Sequence, residues 1–205
     1  MPIKGMDMDD AVKIANELGE MVAKEYDIPV FLYESAASKP ERENLAKVRK
    51  GEYEGLDAKF EDPNWAPDFG LAKKHPTAGA IAIGARKPLI AYNINLDTPN
   101  IEIAANIAKT IRQSSGGYRF IKAGPVEIPE RGITQVTMNL TDYTKTAMYR
   151  AFEAVKMEAR RYGVNVMGSE IVGLCPMEAL VDCASYYLGL ENFSLDKVLE
   201  TSLME

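Results

Sequence analysis

The sequence predicts an α+β fold made of two α/β subdomains. From residue 88 onward the hydrophobic patterns follow the order strand, helix, strand, strand, helix, strand, and then terminal helices. This is the order of the ferredoxin-like βαββαβ unit, in which helices cover one face of a four-stranded sheet. The part before residue 86 gives only about two helices and two strands, too few for a comparable layer. We therefore expect domains at residues 1–85 and 86–205, the first incomplete at its N-terminus.

The first half begins with an amphipathic helix. Its N-cap is Asp7, and its apolar positions recur at helical spacing. The run IPVFLYE that follows is β-branched and aromatic, which is typical of a strand buried on both faces. In order, we predict a helix at 8–26, a strand at 28–34, a helix at 40–50, a turn-rich segment at 53–68 and a strand at 80–84. The lone tryptophan, Trp65, fits either a core position under a loop or a platform for a ligand.

The second half shows a cleaner alternation of elements. We predict strands at 88–96, 118–123, 133–140 and 164–174, and helices after Asp97 or Thr98 and at 143–162, 176–188 and 195–203. Glycines at 116 and 117 end the first of these helices, and Gly163 caps the second. We expect a loop at 125–132, because it holds prolines and ends in glycine.

Composition excludes several classes of protein. The chain has 205 residues, 46% of them hydrophobic, and a net charge of −6. No apolar run approaches the roughly 20 residues of a membrane span, and the acidic start is unlike a signal peptide. The sequence shows no basic face of the kind that binds nucleic acid. Cys175 and Cys183 are too far apart for a redox pair or a metal knuckle, so we expect a cytoplasmic protein with free thiols and no metal.

The loop from Gly70 to Gly79 is the first candidate site. There is no Asp or Glu between Phe69 and Leu96, whereas four cations lie in this stretch, in a chain that is acidic overall. A loop with glycine at both ends can close on an anionic or heterocyclic ligand, and cations hold carboxylates. The alternative is a solvated surface loop. The candidate ligand-binding residues are Gly70, Leu71, Ala72, Lys73, Lys74, His75, Pro76, Thr77, Ala78 and Gly79.

Three further residues could carry chemistry. His75 is the only histidine, so it is the default general acid or base if this chain alone performs proton transfer. No carboxylate partner for it is visible in the sequence. Glu170 interrupts the apolar strand VMGSEIVGL, where a carboxylate needs a partner or a cleft. Asn93 interrupts IAYNINL, where a short amide suits a ligand or a strand end. We take Asn93 and Glu170 as possible substrate-lining residues.

Six strings of residues then suggest a family. They are VFLYESAA (30–37), RKGEYEGL (49–56), NWAPDFG (64–70), GARK (84–87), IAYNINL (90–96) and VMGSEIVGLCP (166–176). In this order and register they resemble glutamate formimidoyltransferase, of the formiminotransferase domain family. No single string is as specific as a zinc or phosphate-loop motif. Together they extend over most of the chain.

The resemblance implies a function. Family members are folate-dependent transferases of histidine catabolism, with two subdomains around a folate tunnel. They move a formimino group from N-formiminoglutamate to N5 of tetrahydrofolate, the co-substrate in this one-carbon metabolism. Their folate-binding loop falls on residues 70–79, and relatives tend to carry Gln where this chain has Glu170.

The resemblance also implies a missing part. The family's catalytic histidine belongs to an HPRxGA-like segment that we expect upstream of Met1, and His75 matches it neither by position nor by neighbours. No catalytic residue is therefore assigned. We expect a transferase chain that is incomplete alone and works with a separately encoded N-terminal chain or as a homo-oligomer. The alternative is a non-catalytic folate- or small-molecule-binding module with a ferredoxin-like fold.

Overall fold

The computed structural model describes residues 6–203, which divide into two compact units. The first ends at Lys87 and the second begins at Pro88. In the first unit the elements are α1 (Met8–Tyr26), β1 (Val30–Glu34), α2 (Leu45–Arg49), α3 (Leu56–Glu61) and β2 (Ile81–Ala85), with 3-10 turns at Pro40–Arg42 and Pro63–Trp65. Strands β1 and β2 pair in parallel, in register from Val30 opposite Ile81 to Glu34 opposite Ala85.

Helix α1 has the predicted bounds. Its N-cap is Asp7, whose carboxylate accepts a 2.8 Å hydrogen bond from the Asp10 backbone N–H. Three small residues, Ala11, Ala15 and Gly19, form its buried stripe. A Cβ on Gly19 would lie 2.9 Å from the ring of Phe69, so only glycine lets the helix approach this closely. The helix therefore packs tightly against the two strands.

Strand β1 is buried on both faces, as the sequence predicts. On the α1 side, Val30 and Leu32 share a core with Ile83. On the other side, Phe31 packs with Val48 and Leu56, and the half-buried Trp65 lies against this second core. Its ring meets that of Phe31 edge-on at 6.3 Å between centroids. Trp65 is thus a core residue.

The single helix predicted at 40–50 is wrong. A 3-10 turn ends at Arg42, and α2 begins only at Leu45. Asn44 interrupts the helix because its side-chain oxygen accepts a 3.0 Å bond from the Ala46 N–H. The turn-rich segment at 53–68 also contains a short helix, α3.

The second unit has the predicted βαββαβ order. Its elements are β3 (Ile90–Leu96), α4 (Ile101–Ile111), β4 (Ile121–Ile128), β5 (Ile133–Leu140), α5 (Met148–Arg161), β6 (Val166–Val172), α6 (Met177–Leu188) and α7 (Leu199–Leu203), with 3-10 turns at Gln113–Ser115, Pro129–Arg131 and Leu195–Lys197. The strands form one antiparallel sheet in the order β4-β5-β3-β6. Ile90, Ile94 and Leu96 are fully buried in a core shared with α4 and α5. Helices therefore cover one face of a four-stranded sheet.

Two local predictions in this unit are corrected. Pro125 lies within β4 and not in a loop, since an edge strand tolerates a residue without an N–H donor. The turn comes later, at Pro129–Arg131, and ends at Gly132 with φ 63°. The cap of α4 is Asn100, and neither Asp97 nor Thr98 fills this role. The Asn100 side chain accepts a 3.0 Å bond from the Glu102 N–H.

Candidate functional site

The face of the second unit's sheet opposite the helices carries a row of polar side chains. On the central strand β3, Asn93 lies opposite Glu170 of β6, and Asn95 lies opposite Gln135 of β5. Side chains alternate along a strand, so these residues point away from the core that holds Ile94. The antiparallel register therefore brings three strands' polar groups together on one face.

These groups form one hydrogen-bonded network. The Oε1 atom of Glu170 accepts bonds from Asn93 Nδ2 at 3.1 Å and from Gln135 Nε2 at 2.9 Å. The same Gln135 nitrogen donates to Asn95 Oδ1 at 2.9 Å. Gln135 and Asn95 are buried, whereas Glu170 is exposed. The amides are thus held in place beneath an accessible carboxylate.

The network keeps Glu170 ionised. The hydrogen bond from Asn93, then that from Gln135, and finally the charge of Arg131 lower the pKa of the Glu170 carboxyl below its usual value. Among the described residues no hydrogen-bond donor reaches Oε2, so this oxygen of the exposed carboxylate is available to a ligand. A carboxylate in this setting accepts hydrogen bonds from the N–H groups of a ligand.

The glycine-bounded loop in the first unit has a defined shape. Gly70 and Gly79 have φ of 84° and 68°, the left-handed region that favours glycine. His75 and Gly79 exchange backbone hydrogen bonds of 2.9 and 3.0 Å and so close a five-residue turn. The His75 Nδ1 atom accepts N–H bonds from Ala78 at 3.0 Å and Thr77 at 3.3 Å. Since Nδ1 acts as an acceptor, the hydrogen of the neutral ring is on Nε2, and the ring's contact is structural.

The two loop lysines differ in their surroundings. Lys74 Nζ lies 2.6 Å from Asp57 Oδ2 and 4.6 Å from the centroid of the Tyr53 ring. The hydrogen bond with Asp57 raises the pKa of Lys74, so its charge is already paired. Lys73 is exposed and has no acidic partner within the described residues. Of the two, Lys73 is the one free to meet an anion.

A cleft of about 500 Å³ adjoins the end of this loop. Its walls include Phe31, Val48, Arg49, Tyr53, Leu56 and Gly79. The Tyr53 hydroxyl donates a 2.6 Å bond to the Pro76 carbonyl, which fixes the loop against the cleft. The Ala78–Gly79 end of the loop therefore borders the cleft, whereas its Gly70 end is not part of the lining.

The fold brings together two residues that were chosen separately from the sequence. Asn93 and Glu170 are hydrogen-bonded to each other. Gln135, which belongs to the same network, was not chosen from the sequence. The only signal for Gln135 in the sequence is a polar residue in an alternating strand. Its contacts with Glu170 and Asn95 depend on the strand register, which the sequence does not show.

No helix among residues 6–203 is long and apolar enough to cross a membrane. In the same range no cluster of His, Cys, Asp or Glu could hold a metal ion.

Both units match domains of known protein families. The formiminotransferase domain, N-terminal subdomain, matches residues 1–86, and the formiminotransferase domain matches residues 91–203. Glutamate formimidoyltransferase from Streptococcus pyogenes serotype M1 is 52% identical over 205 residues, which cover 100% of this chain and 69% of that protein. The enzyme of the same name from Thermoplasma acidophilum is 44% identical, over 99% of this chain and 67% of its own length.

A longer protein matches the same region. Formimidoyltransferase-cyclodeaminase from Dictyostelium discoideum is 39% identical over 210 residues, which cover 99% of this chain and 39% of that protein. The matches include the loop at 70–79 and the strands that hold Asn93 and Glu170. The chain belongs to the formiminotransferase domain family.

Proposed function

We propose that this chain acts in the folate-dependent transfer of a formimino group from N-formiminoglutamate to tetrahydrofolate, a step of histidine catabolism. The observation that carries the proposal is the 52% identity with a glutamate formimidoyltransferase along the entire chain. Tetrahydrofolate is the co-substrate of this reaction.

The network on the second unit's sheet gives a binding role to its residues. We propose that the Glu170 carboxylate accepts hydrogen bonds from N–H groups of the ligand, and that Asn93 and Gln135 hold that carboxylate in position. The geometry supports this role because both amides converge on Oε1 and leave the second oxygen for a ligand. Lys73 supplies a positive charge for the carboxylates of a glutamyl group.

Proton transfer needs a group beyond those assigned so far. When N5 of tetrahydrofolate attacks the formimino carbon, it loses a proton, and the departing glutamate nitrogen gains one. His75 does not suit this task, since its Nδ1 accepts two backbone N–H bonds in the loop. We propose that the acid/base group lies in the part of the family's length that this chain does not cover.

Ligand binding tests the site. Titration calorimetry with 5-formyltetrahydrofolate should show at least tenfold weaker binding for Glu170→Ala, because an acceptor is lost from the ligand contact. Glu170→Gln should bind within a few fold of the wild type, since an amide oxygen can accept the same bonds. Glu127→Gln, an exposed acid on β4, is the matched control. Equal affinity for the wild type and Glu170→Ala would exclude the proposed role.

A transfer assay tests the reaction. The chain alone and the chain mixed with the part of the streptococcal protein that it does not cover are each given N-formiminoglutamate and tetrahydrofolate. We expect turnover only in the mixture. Folate binding without turnover in either sample would favour the second candidate, a non-catalytic folate-binding module.

A further inference from the structure

A cleft of about 300 Å³ lies between the start of helix α5 and helix α6. The segment 144–150 forms one wall and contributes Lys145 and Arg150, and α6 forms the other and contributes Asp182 and Ser185. This volume is in the range of small-molecule sites. Helix α5 packs on the helix-covered face of the second unit's sheet, whereas Glu170 and its network are on the opposite face. The cleft is therefore separate from the candidate site.

The two walls of this cleft are fixed to each other. Tyr149 of α5 and Tyr186 of α6 stack with their ring centroids 4.2 Å apart and an angle of 12° between the rings. Just before α5, the Tyr143 hydroxyl donates a 3.1 Å hydrogen bond to Glu178 Oε2 on α6. The shape of the cleft is thus set before a ligand arrives, and this lowers the entropic cost of binding.

The charged groups of the cleft do not neutralise one another. Within the described residues no ion pair includes Lys145, Arg150 or Asp182. Arg150 Nε donates only a long, 3.4 Å bond to the Tyr149 hydroxyl. All three charged residues are exposed. Two positive charges on one wall and a negative charge on the other are therefore available to a ligand.

Two further features of the walls favour a polar ligand. No side chain caps α5 at Ala147, so the N-terminal end of this 14-residue helix keeps its partial positive charge. On the other wall, the Ser185 hydroxyl oxygen is buried and has no hydrogen-bond partner in the part of the chain that the structure describes. A buried hydroxyl without a partner costs free energy, which a ligand that pairs with it recovers.

The arrangement of charges indicates the class of ligand. A simple anion would meet the carboxylate of Asp182, and a simple cation would meet Lys145 and Arg150. A dicarboxylic α-amino acid carries two carboxylates and one ammonium group, which are opposite in sign to the two cations and the one carboxylate of the cleft. Such a ligand places a favourable charge against each of the three side chains.

We propose that this cleft binds a dicarboxylic α-amino acid such as glutamate, with its carboxylates against Lys145 and Arg150 and its ammonium group against Asp182. The transfer reaction proposed above releases glutamate, so the cleft gives the chain a site for this class of product apart from the site of transfer. The inference rests on the charges and shape of the cleft, and it does not require the transfer reaction.

The test compares two probes on the full chain. NMR titration with L-glutamate measures binding, and the amide signals of Arg150 and Ser185 report whether the ligand is in the cleft. Glutarate is the matched probe, because it has both carboxylates but lacks the ammonium group. We expect glutamate to bind at least about threefold more tightly than glutarate. In Asp182→Asn the two probes should bind equally, because the amide no longer attracts the ammonium group.

Removing a cation should affect both probes alike. Arg150→Gln and Lys145→Gln should each weaken the binding of glutamate and of glutarate by about threefold. Arg160→Gln removes an exposed charge of α5 that is not part of this cleft, and it should leave both affinities unchanged. The urea midpoint of each variant shows whether it still folds. If a variant is unfolded, the comparison of the two probes on the wild type decides the matter.

Three results would overturn the proposal. The first is the absence of saturable shifts at Arg150 and Ser185 on addition of glutamate. The second is equal affinity of the wild type for glutamate and glutarate, and the third is inorganic phosphate binding as tightly as glutamate. Glutamate binding in the cleft together with no formimino transfer in either sample of the transfer assay would leave this site intact and refute the reaction. The two failures are therefore distinguishable.

Discussion

The Arg42 guanidinium donates a 2.6 Å hydrogen bond to the Asp68 carboxylate, and the two side chains are only 1% and 8% exposed. The same carboxylate oxygen accepts a 2.7 Å bond from the Leu32 N–H, and Arg42 also donates to the Asn64 carbonyl at 3.0 Å. One ion pair thus joins strand β1 to the segment that leads into the candidate loop. The acidic residue of the NWAPDFG string has a structural role.

Removing the arginine should strongly destabilise the first unit. In Arg42→Ala the Asp68 carboxylate stays buried without its partner, which typically costs about 3–5 kcal/mol. Urea unfolding followed by circular dichroism measures the loss. Lys13→Ala is the control, because its ion pair with Asp10 is exposed and should contribute at most about 0.5 kcal/mol. A loss below about 1 kcal/mol for Arg42→Ala would contradict the structural role.

His75 should affect binding more than proton transfer. His75→Ala removes the acceptor for the Thr77 and Ala78 N–H groups, so the loop loses its fixed shape and folate affinity should fall. His75→Asn should recover most of that affinity, because an asparagine oxygen accepts backbone N–H bonds in such turns. In the reconstituted transfer assay the pH profile of kcat should keep its shape in both variants. A profile that loses one limb in His75→Ala would make His75 the proton-transfer group.

The two loop lysines should respond differently to charge reversal. Lys73→Glu should weaken folate binding in a salt-dependent way, by about 0.2–1 kcal/mol, because the contact is exposed. Lys74→Glu breaks the ion pair with Asp57 and places a second carboxylate beside it. The variant should therefore also lower the thermal stability of the loop region. Calorimetry at two salt concentrations and thermal melts separate the effects. Unchanged affinity in Lys73→Glu would exclude a role for this residue.

The second unit should lose stability in acid through Asp97. Its carboxylate accepts bonds from the Asn165 N–H at 2.6 Å and from Asn165 Nδ2 at 2.8 Å, and these bonds lower the pKa of Asp97. Because the pKa of Asp97 is lower in the folded chain than in the unfolded chain, where it is about 3.9, the ionised carboxylate stabilises the fold above that pH. This stabilisation is lost as the pH falls through the pKa of the folded state. The Tm difference between wild type and Asp97→Ala should therefore shrink below about pH 4. A constant difference from pH 6 to pH 2 would contradict this.

The second unit should also fold without the first. Its core, centred on Ile94 and Val136, draws only on residues after Pro88. A polypeptide of residues 88–205 should therefore show cooperative unfolding. Circular dichroism and analytical ultracentrifugation test this directly. Absence of a cooperative transition would show that this core needs residues of the first unit.

Sequence patterns predicted those elements whose signals are local. Helix α1 has its N-cap and its apolar stripe within 20 residues of chain, and strand β5 alternates as expected. The single helix predicted at 40–50 was wrong because Asn44 caps a new helix, α2, and so divides the segment. Asn93 and Glu170, by contrast, are 77 residues apart. Only the strand register brings Gln135 within hydrogen-bond distance of both Glu170 and Asn95. Long-range pairing thus decided what the sequence alone could not.

Strand β2 also has a consequence for how a cell handles this protein. Within the described residues it pairs only with β1, and helix α1, which packs on it, leaves Ile14 and Leu18 exposed. An unpaired strand edge near exposed apolar side chains is the kind of surface that chaperones and proteases recognise. A chain in which this surface stays uncovered should therefore be degraded or aggregate.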